Sequence, residues 1–331
     1  ANDLLFSEGA VAGGYRLNAS WSLGLGIGSY NLDLGEQRVV DEDGMVLDRT
    51  ETLERYTGVT AAAAWNSVVN TSFGVSAKFL KQKLLFDHEK TATVLDWGAI
   101  VNWPILSTFD RGTVSTLGTP ARFEITPGLY YSMRNIGDDL SYESGLSDPL
   151  PRNALLGYHV SLKLHLPESA VDLIHVKYSH DVMDMLIDRH RDGSFSYQGP
   201  FGDIRLVDHL IRGQHGAKTK PDDTGAPQTV YDEVVITDGL QLGLLDALYF
   251  RLGAYRDKQG QVEFDTRGYG VNVMQMLRLI PGVSGLVKDT FLAPVIESLD
   301  VEYHYAERTD DSFGYAALYN NRSGVTLRWN Y

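Results

Sequence analysis

The stretch that decides the fold is Leu156-Gly157-Tyr158-His159-Val160-Ser161-Leu162-Lys163-Leu164-His165-Leu166. Leu156, Tyr158, Val160, Leu162, Leu164 and Leu166 are large and apolar, and the residues between them are small, polar or charged. A period of two places these sets on opposite faces of a β-strand, since successive side chains point to opposite sides. Soluble strands average about five or six residues, and this one alternates throughout the whole stretch. An apolar face in a soluble sandwich would fill a core. Here the opposite face carries His159, Lys163 and His165 between large apolar neighbours, which fits a wet lumen on one side and lipid on the other.

Working outward, the same pattern recurs along the chain. Phe123, Ile125, Leu129, Tyr131 and Met133 alternate with Glu124, Thr126, Ser132 and Arg134, and Leu299, Val301, Tyr303 and Tyr305 with Asp300, Glu302 and His304. Further strands are predicted at Ala10–Leu17, Trp21–Asp33, Val59–Trp65, Phe73–Leu85, Val94–Trp103, Ile174–Ser179, Val234–Leu244, Leu248–Tyr255 and Val262–Val273. At the end of the sequence Val325, Leu327, Trp329 and Tyr331 alternate with Thr326, Arg328 and Asn330. A last strand ending in an aromatic resembles the signal read by the outer-membrane assembly machinery. Val325, Leu327, Trp329 and Tyr331 are therefore the candidate assembly signal. The expected fold is all-β: a single antiparallel transmembrane β-barrel spanning residues 1–331 in a bacterial outer membrane, with its C-terminus at the periplasmic side.

Composition is consistent with this. Mean hydropathy is only -0.18, as a barrel allows, because only alternate strand residues meet lipid. The most apolar long segment, Leu277 to Ile296, is interrupted by Arg278, Pro281, Lys288, Asp289 and Pro294, so it is no helical span. With 0 cysteines there are no disulfides or thiolate-held metals, and a net charge of -14 argues against nucleic acid as the partner. Ala1-Asn2-Asp3 has neither a basic start nor an apolar stretch, so the sequence reads as a processed or truncated form.

If Tyr331 ends at the periplasmic rim, the long connections Gly35–Thr52, Gly137–Arg152, Asp181–Tyr231 and Glu307–Asn321 fall outside. Short ones fall inside, near Asn18, Asn66–Asn70, Pro167–Ser169 and Asp246, the asymmetry normal for such barrels. Two inside connections are longer: Pro104–Pro120, and Met276–Ser298, whose apolar residues predict a short interfacial helix near 279–295. The insertion at 181–231 is rich in Asp, Gly, His and Arg and reads as an external cap or partner surface.

Alternation makes Arg134, His159, Lys163, Lys177, Arg251, Glu302, His304 and Arg328 the lumen-lining candidates. They read as ion-paired ladders that stiffen the wall, with contact to a passing solute as the sharper alternative. Leu156, Tyr158, Val160, Leu162, Val325, Leu327 and Trp329 are expected to face lipid, and Trp21, Trp97, Trp103 and Trp329 to lie in aromatic girdles. Gly24-Leu25-Gly26-Ile27-Gly28 lacks the spacing of a nucleotide loop and reads as small residues on a lumenal face. His190, His209 and His215, near Asp181, Asp184 and Asp188, have irregular spacing and read as a solvated loop rather than a metal site. No nucleophile–base–acid constellation stands out, so neither catalysis nor a cofactor is expected.

Asn135-Ile136-Gly137, Leu140-Ser141-Tyr142 and Leu150-Pro151-Arg152, followed by the strand from Leu155, resemble the long-chain fatty-acid transporter (FadL) superfamily of outer-membrane barrels, in particular its PorV-like, type IX secretion branch. The same likeness runs through Phe73-Gly74-Val75-Ser76-Ala77-Lys78-Phe79, Asp96-Trp97-Gly98 and Phe250-Arg251-Leu252-Gly253-Ala254-Tyr255. It implies about fourteen strands. No Asn-Pro-Ala tripeptide, the family's hatch signature, occurs. Either residues before Ala1 supply a hatch and a strand, or Ala1–Glu8 does the pairing. The resemblance implies passage or binding of hydrophobic small molecules, or else an adaptor barrel that holds a protein translocon or collects cargo. The implied partners are outer-membrane lipid and lipopolysaccharide, a hydrophobic solute or proteins at the external loops, and the assembly machinery.

Overall fold

The computed structural model describes residues 5–40, 46–84, 88–109, 112–116, 119–137, 139–141, 147–166, 171–189, 194–200, 207, 219–221, 227–229, 234–257, 262–279, 299–308 and 321–329. Thirteen strands follow one another in sequence order through one antiparallel sheet. They are β1 (Leu5–Arg16), β2 (Trp21–Val40), β3 (Val46–Trp65), β4 (Asn70–Leu84), β5 (His88–Asn102), β6 (Thr119–Gly137) and β7 (Asn153–Leu166). The path continues through β8 (Val171–Met185), β9 (Val234–Leu244), β10 (Leu248–Asp257), β11 (Val262–Asn272), β12 (Leu299–Arg308) and β13 (Asn321–Trp329). A short strand, Thr113–Thr116, hairpins onto β6 as the fourteenth member. Each predicted strand thus has a counterpart.

Neighbour-to-neighbour order is the topology of an up-and-down barrel, but among the described residues the sheet is open between β1 and β13. In an antiparallel series of thirteen the two edge strands run the same way, so joining them directly would need a parallel pair.

The chain divides into two compact units, Ala1–Val101 with Tyr130–Leu156 and Met183–Thr219, and Asn102–Leu129 with Gly157–Val182 and Lys220–Tyr331. In the first, β2 shows why the sequence makes this sheet. Trp21, Leu23, Leu25 and Ile27 are exposed, Leu25 at 68%, while Ser22, Gly24, Gly26 and Gly28 on the other face are partly covered. The register extends the apolar face across neighbours, since Leu25 lies opposite Gly13 and Ala61, and Ile27 opposite Val11 and Val59. Trp21 and Trp65 stack with centroids 6.3 Å apart beside the tight turn at Asn18, whose Oδ1 accepts the Ser20 and Trp21 N–H groups. In the second unit Leu240, Leu242, Phe250, Leu252, Tyr269, Tyr303, Val325 and Leu327 are likewise exposed, whereas His159, Ser161, Asn272 and Glu302 are buried. On these strands large apolar side chains are exposed and several polar ones are buried.

Several expectations need correction. Gly35–Thr52 is not a loop: β2 and β3 stay paired out to Val40 opposite Val46, with register shifts between Asp33 and Glu36 and between Val39 and Val40. Its backbone stays paired although its sequence carries no apolar alternation. The connection Gly137–Arg152 contains a small pair, Leu140–Ser141 with Ser147–Asp148. The insertion contains two more, Ile187–Arg189 with Phe195–Tyr197 and Thr219–Pro221 with Pro227–Thr229. The Pro104–Pro120 connection holds a one-turn helix, α1 (Ile105–Thr108). A second helix, α2, occupies Val273–Leu279 directly after β11, earlier than the interfacial helix expected near 279–295; residues 280–298, which hold nearly all of that expected helix, lie outside the described residues. Among the described residues no helix is long and apolar enough to cross a membrane, which says nothing of strands.

Leu156 is also corrected. It lies on the apolar face but is only 9% exposed, together with the buried Met133, Ala154 and Leu186 of the same unit. In the same unit Tyr131 donates its hydroxyl to the Pro200 carbonyl. Val160 and Leu162 remain exposed, and Tyr158 is half-buried against Tyr178 and His180.

Candidate functional site

On the polar face of the first unit, β3, β4, β5 and β6 bring together residues far apart in sequence. Lys78 donates from Nζ to Asp96 Oδ2 at 2.9 Å and to Asn135 Oδ1 at 2.8 Å, and the Asn135 N–H donates to Asp96 Oδ1 at 2.9 Å. The triangle satisfies both charges with one another. Asn135 has φ 57°, a left-handed conformation that asparagine tolerates better than most residues, and its side-chain amide donates to the Pro151 carbonyl at 3.0 Å. Gly58 is required beside Lys78, because a Cβ there would come within 2.9 Å of the lysine Cγ. Toward the strand ends with long connections, Leu80, Val94 and Leu150 form a buried cluster flanked by Tyr56 and Ala92. A latch follows: Tyr197 donates to Asp139 Oδ1 at 2.5 Å, accepts the Leu150 N–H at 3.0 Å, and carries the Arg152 guanidinium 3.7 Å from its ring centroid. Burial, reinforced by the Asp139 carboxylate, pushes the Tyr197 hydroxyl up to about 12.

The polar face of the second unit is a chain of ion pairs and hydrogen bonds. Lys163 donates to Asp172 Oδ2 at 2.7 Å, His165 Nδ1 lies 2.9 Å from Asp172 Oδ1, and the Asp172 N–H donates to Asp246 Oδ2 at 2.6 Å. Asp246 sits in the tight turn between β9 and β10 with φ 52°, and burial pushes its carboxyl up. Arg251 donates to Gln241 at 2.9 Å and to Glu302 at 2.8 Å, and Glu302 is only 7% exposed. At the lower edge Arg278 of α2 donates to Asp300 Oδ1 and the Leu299 carbonyl. Ser161 Oγ lies 2.9 Å from His175 Nε2, a nucleophile–base pair not seen in the sequence; the nearby Asp172 spends its oxygens on Lys163 and His165.

The lumen-lining candidates fall as follows. Lys163, Arg251 and Glu302 belong to the network just described. His159 is buried, and Gly128 leaves the space its ring fills, since a Cβ there would overlap the imidazole. Lys177 shares the face of His175 and is half-buried; His304 shares the face of Glu302, opposite Gly324. Arg134 is exposed, immediately before the bend at Asn135. Arg328 lies opposite Asp300 in the β12–β13 register, but its side chain, that of Trp329, and Tyr331 itself lie outside the described residues. Val325 and Leu327 are exposed, at 62% and 67%. Of the histidines weighed for metal, His190, His209 and His215 lie outside the described residues, among which no metal-holding group of acidic and histidine side chains occurs.

The apolar face also bears charge near the long connections. In the second unit Asp238 accepts from Tyr178 at 2.8 Å and pairs with His180 and Arg256, and Arg267 pairs with Glu307 across β11 and β12. No protein-family model matches the chain, and no curated protein matches its sequence.

Proposed function

We propose that this chain is a β-barrel of the FadL/PorV type that spans a bacterial outer membrane with its C-terminal strand ending at the periplasmic side. The observation that carries this is the inverted exposure along paired strands: leucine, isoleucine, phenylalanine and tryptophan outward, glycine, serine and bonded charges inward. From Trp65 to Arg55, the first charge of the apolar face on β3, is ten residues. That is about 33 Å of strand, or roughly 25 Å of height at a tilt of about 40°, the expected thickness of the lipid-facing band. Closure in the membrane is required, because open strand edges in hydrocarbon leave unpaired backbone groups at several kcal/mol each.

Within that class we read the barrel as an adaptor that holds partner proteins at its external side. At the mouth Leu80, Val94 and Leu150 pack on one another, and the Tyr197 latch ties the insertion to the wall. This makes a stiff platform. Passage of hydrophobic molecules would need an apolar cavity there. Among the described residues of the first unit, the cavity on the polar face beside Lys78 is about 190 Å³ and is lined by Tyr30 and Tyr56 with small and polar groups such as Gly28, Gly58, Thr60 and Ser76. Native mass measurement of the detergent-extracted assembly tests the reading. An adaptor runs as a complex well above the 36.7 kDa of the chain. A lone chain, with uptake of a hydrophobic solute lost on deletion, would replace the adaptor reading with transport.

A further inference from the structure

On the apolar face of the second unit the strand register sets three rungs in a fixed order. Leu242, Phe250, Tyr269 and Tyr305 stand opposite one another across β9, β10, β11 and β12. The next rung toward the long connections is Leu240, Leu252, Arg267 and Glu307, and the one beyond it is Asp238, Ala254 and Asp265. An apolar and aromatic rung is thus followed by one holding a cation, and then by one with two carboxylates flanking a methyl group. Two cavities lie along this order and share Leu252 and Arg267. The one on the aromatic rung, about 450 Å³, is lined by Phe250, Tyr269 and Tyr305, of which Phe250 and Tyr269 are exposed. The other, about 430 Å³, reaches the carboxylate rung and is lined by Tyr178, Asp238, Ala254 and Asp265. All of these residues lie within the second unit.

The charges along these rungs are paired, and that pairing narrows the ligand. Arg267 donates from Nε to Glu307, Asp238 accepts from Tyr178 and pairs with His180 and Arg256, and Asp265 also has an interaction partner. A ligand with net charge would upset this balance, whereas a zwitterion keeps it. Hydrogen-bonding capacity remains, because a guanidinium has five N–H donors and a carboxylate about four acceptor sites. The order of the rungs then calls for a hydrocarbon chain, a phosphate and an ammonium, in that sequence. From Arg267 to Asp265 is two residues, about 7 Å of strand. Phosphate and ammonium bridge that step, since each reaches its partner through a charge-assisted hydrogen bond of about 2.8 Å. Resting on the outer-membrane reading above, we propose that this wall binds a phosphoethanolamine lipid. Its chain lies on Phe250, Tyr269 and Tyr305, its phosphate meets Arg267, and its ammonium sits between Asp238 and Asp265, where the small Ala254 leaves it room.

The test uses the full chain in nanodiscs and native mass spectrometry, with phosphatidylethanolamine, phosphatidylcholine and phosphatidylglycerol of identical chains as probes. Wild type retains phosphatidylethanolamine roughly tenfold or more over phosphatidylcholine, whose quaternary head donates no hydrogen bond, and over the anionic phosphatidylglycerol. Asp265→Asn erases that preference, and Arg267→Gln weakens retention of phosphatidylethanolamine by a similar factor. Ala254→Leu guards against a folding artefact: it removes no hydrogen bond and fills the headgroup cavity, so retention falls roughly tenfold while the denaturant midpoint stays at the wild-type value. Equal retention of the lipids by wild type, or wild-type retention by Ala254→Leu, would overturn the site. So would complete displacement of the lipid by millimolar phosphoethanolamine, which would leave a free-headgroup site with no part for the chain. If the wild type fails to enter nanodiscs at all, the outer-membrane reading falls first and this site with it, whereas entry with equal retention sinks the site alone.

Discussion

Replacing Leu25 by arginine separates a lipid-facing sheet from a water-facing one by a wide margin. Leu25 is 68% exposed, and its cross-strand neighbours are Gly13 and Ala61, so an arginine there meets no crowding and removes little packing. It lies four residues above Trp21 and six below Asn31, about 13 Å and 20 Å along the strand, hence close to the middle of the apolar band. On a water-exposed surface such a change costs within about 0.5 kcal/mol. At the midplane of a bilayer it costs about 2–4 kcal/mol, roughly 30- to 700-fold in the folding equilibrium. Ser29→Arg, four residues on and opposite Thr57, sits near the edge of the band and should cost about 0–1 kcal/mol. Denaturant titration of folding into lipid vesicles, followed by tryptophan fluorescence, measures both. A flat profile, with Leu25→Arg no worse than Ser29→Arg, would refute the assignment of this face to lipid.

Other outcomes follow from the polar face and the chain end. Arg251→Ala removes the guanidinium that pairs with the buried Glu302 carboxylate and should cost about 1–3 kcal/mol, with Glu302→Gln in the same background recovering part of it; no recovery would show that the pair is not coupled. The Tyr197 latch favours the neutral phenol, so its contribution is complete below the ordinary tyrosine range and fades as pH rises through about 12. Protease nicking of the insertion should therefore rise steeply there in wild type, and a similar rise with Tyr197→Phe would rule out the latch as its cause. Deleting the chain from Val325 removes the part of β13 paired with Leu299–Tyr303 and should leave the protein outside the membrane and degraded; normal insertion would remove the C-terminal strand from the assembly signal.

Much of the sheet was legible because a lipid-facing strand must alternate for as long as it crosses the apolar layer. Leu156–Leu166 and Trp21–Asp33 do so, and both are strands. What escaped notice lies where that constraint ends. The β2–β3 ribbon beyond Asp33 carries no apolar period, although its backbone stays paired. Leu156 kept its face but lost its exposure, which an alternation shared with the exposed Val160 and Leu162 does not record. The Lys78–Asp96–Asn135 triangle joins positions up to 57 residues apart. Alternation alone could have placed Lys78 and Asp96 on the small-residue face of their strands, but only the register makes them neighbours. The Ser161–His175 pair was hidden in the same way.

The central claim, that one face of this sheet meets lipid, is tested most directly by site-directed spin labelling along β2. The chain has 0 cysteines, so each introduced cysteine is a unique label site. Labels at residues 21 to 28 would be read in bilayers for collision with oxygen, which concentrates in hydrocarbon, and with a water-soluble nickel chelate. Leu23, Leu25 and Ile27 should show high oxygen and low nickel accessibility, and Ser22, Gly24 and Gly26 the reverse, alternating residue by residue. Equal nickel accessibility at Leu25 and at Gly24 or Gly26 would contradict the account.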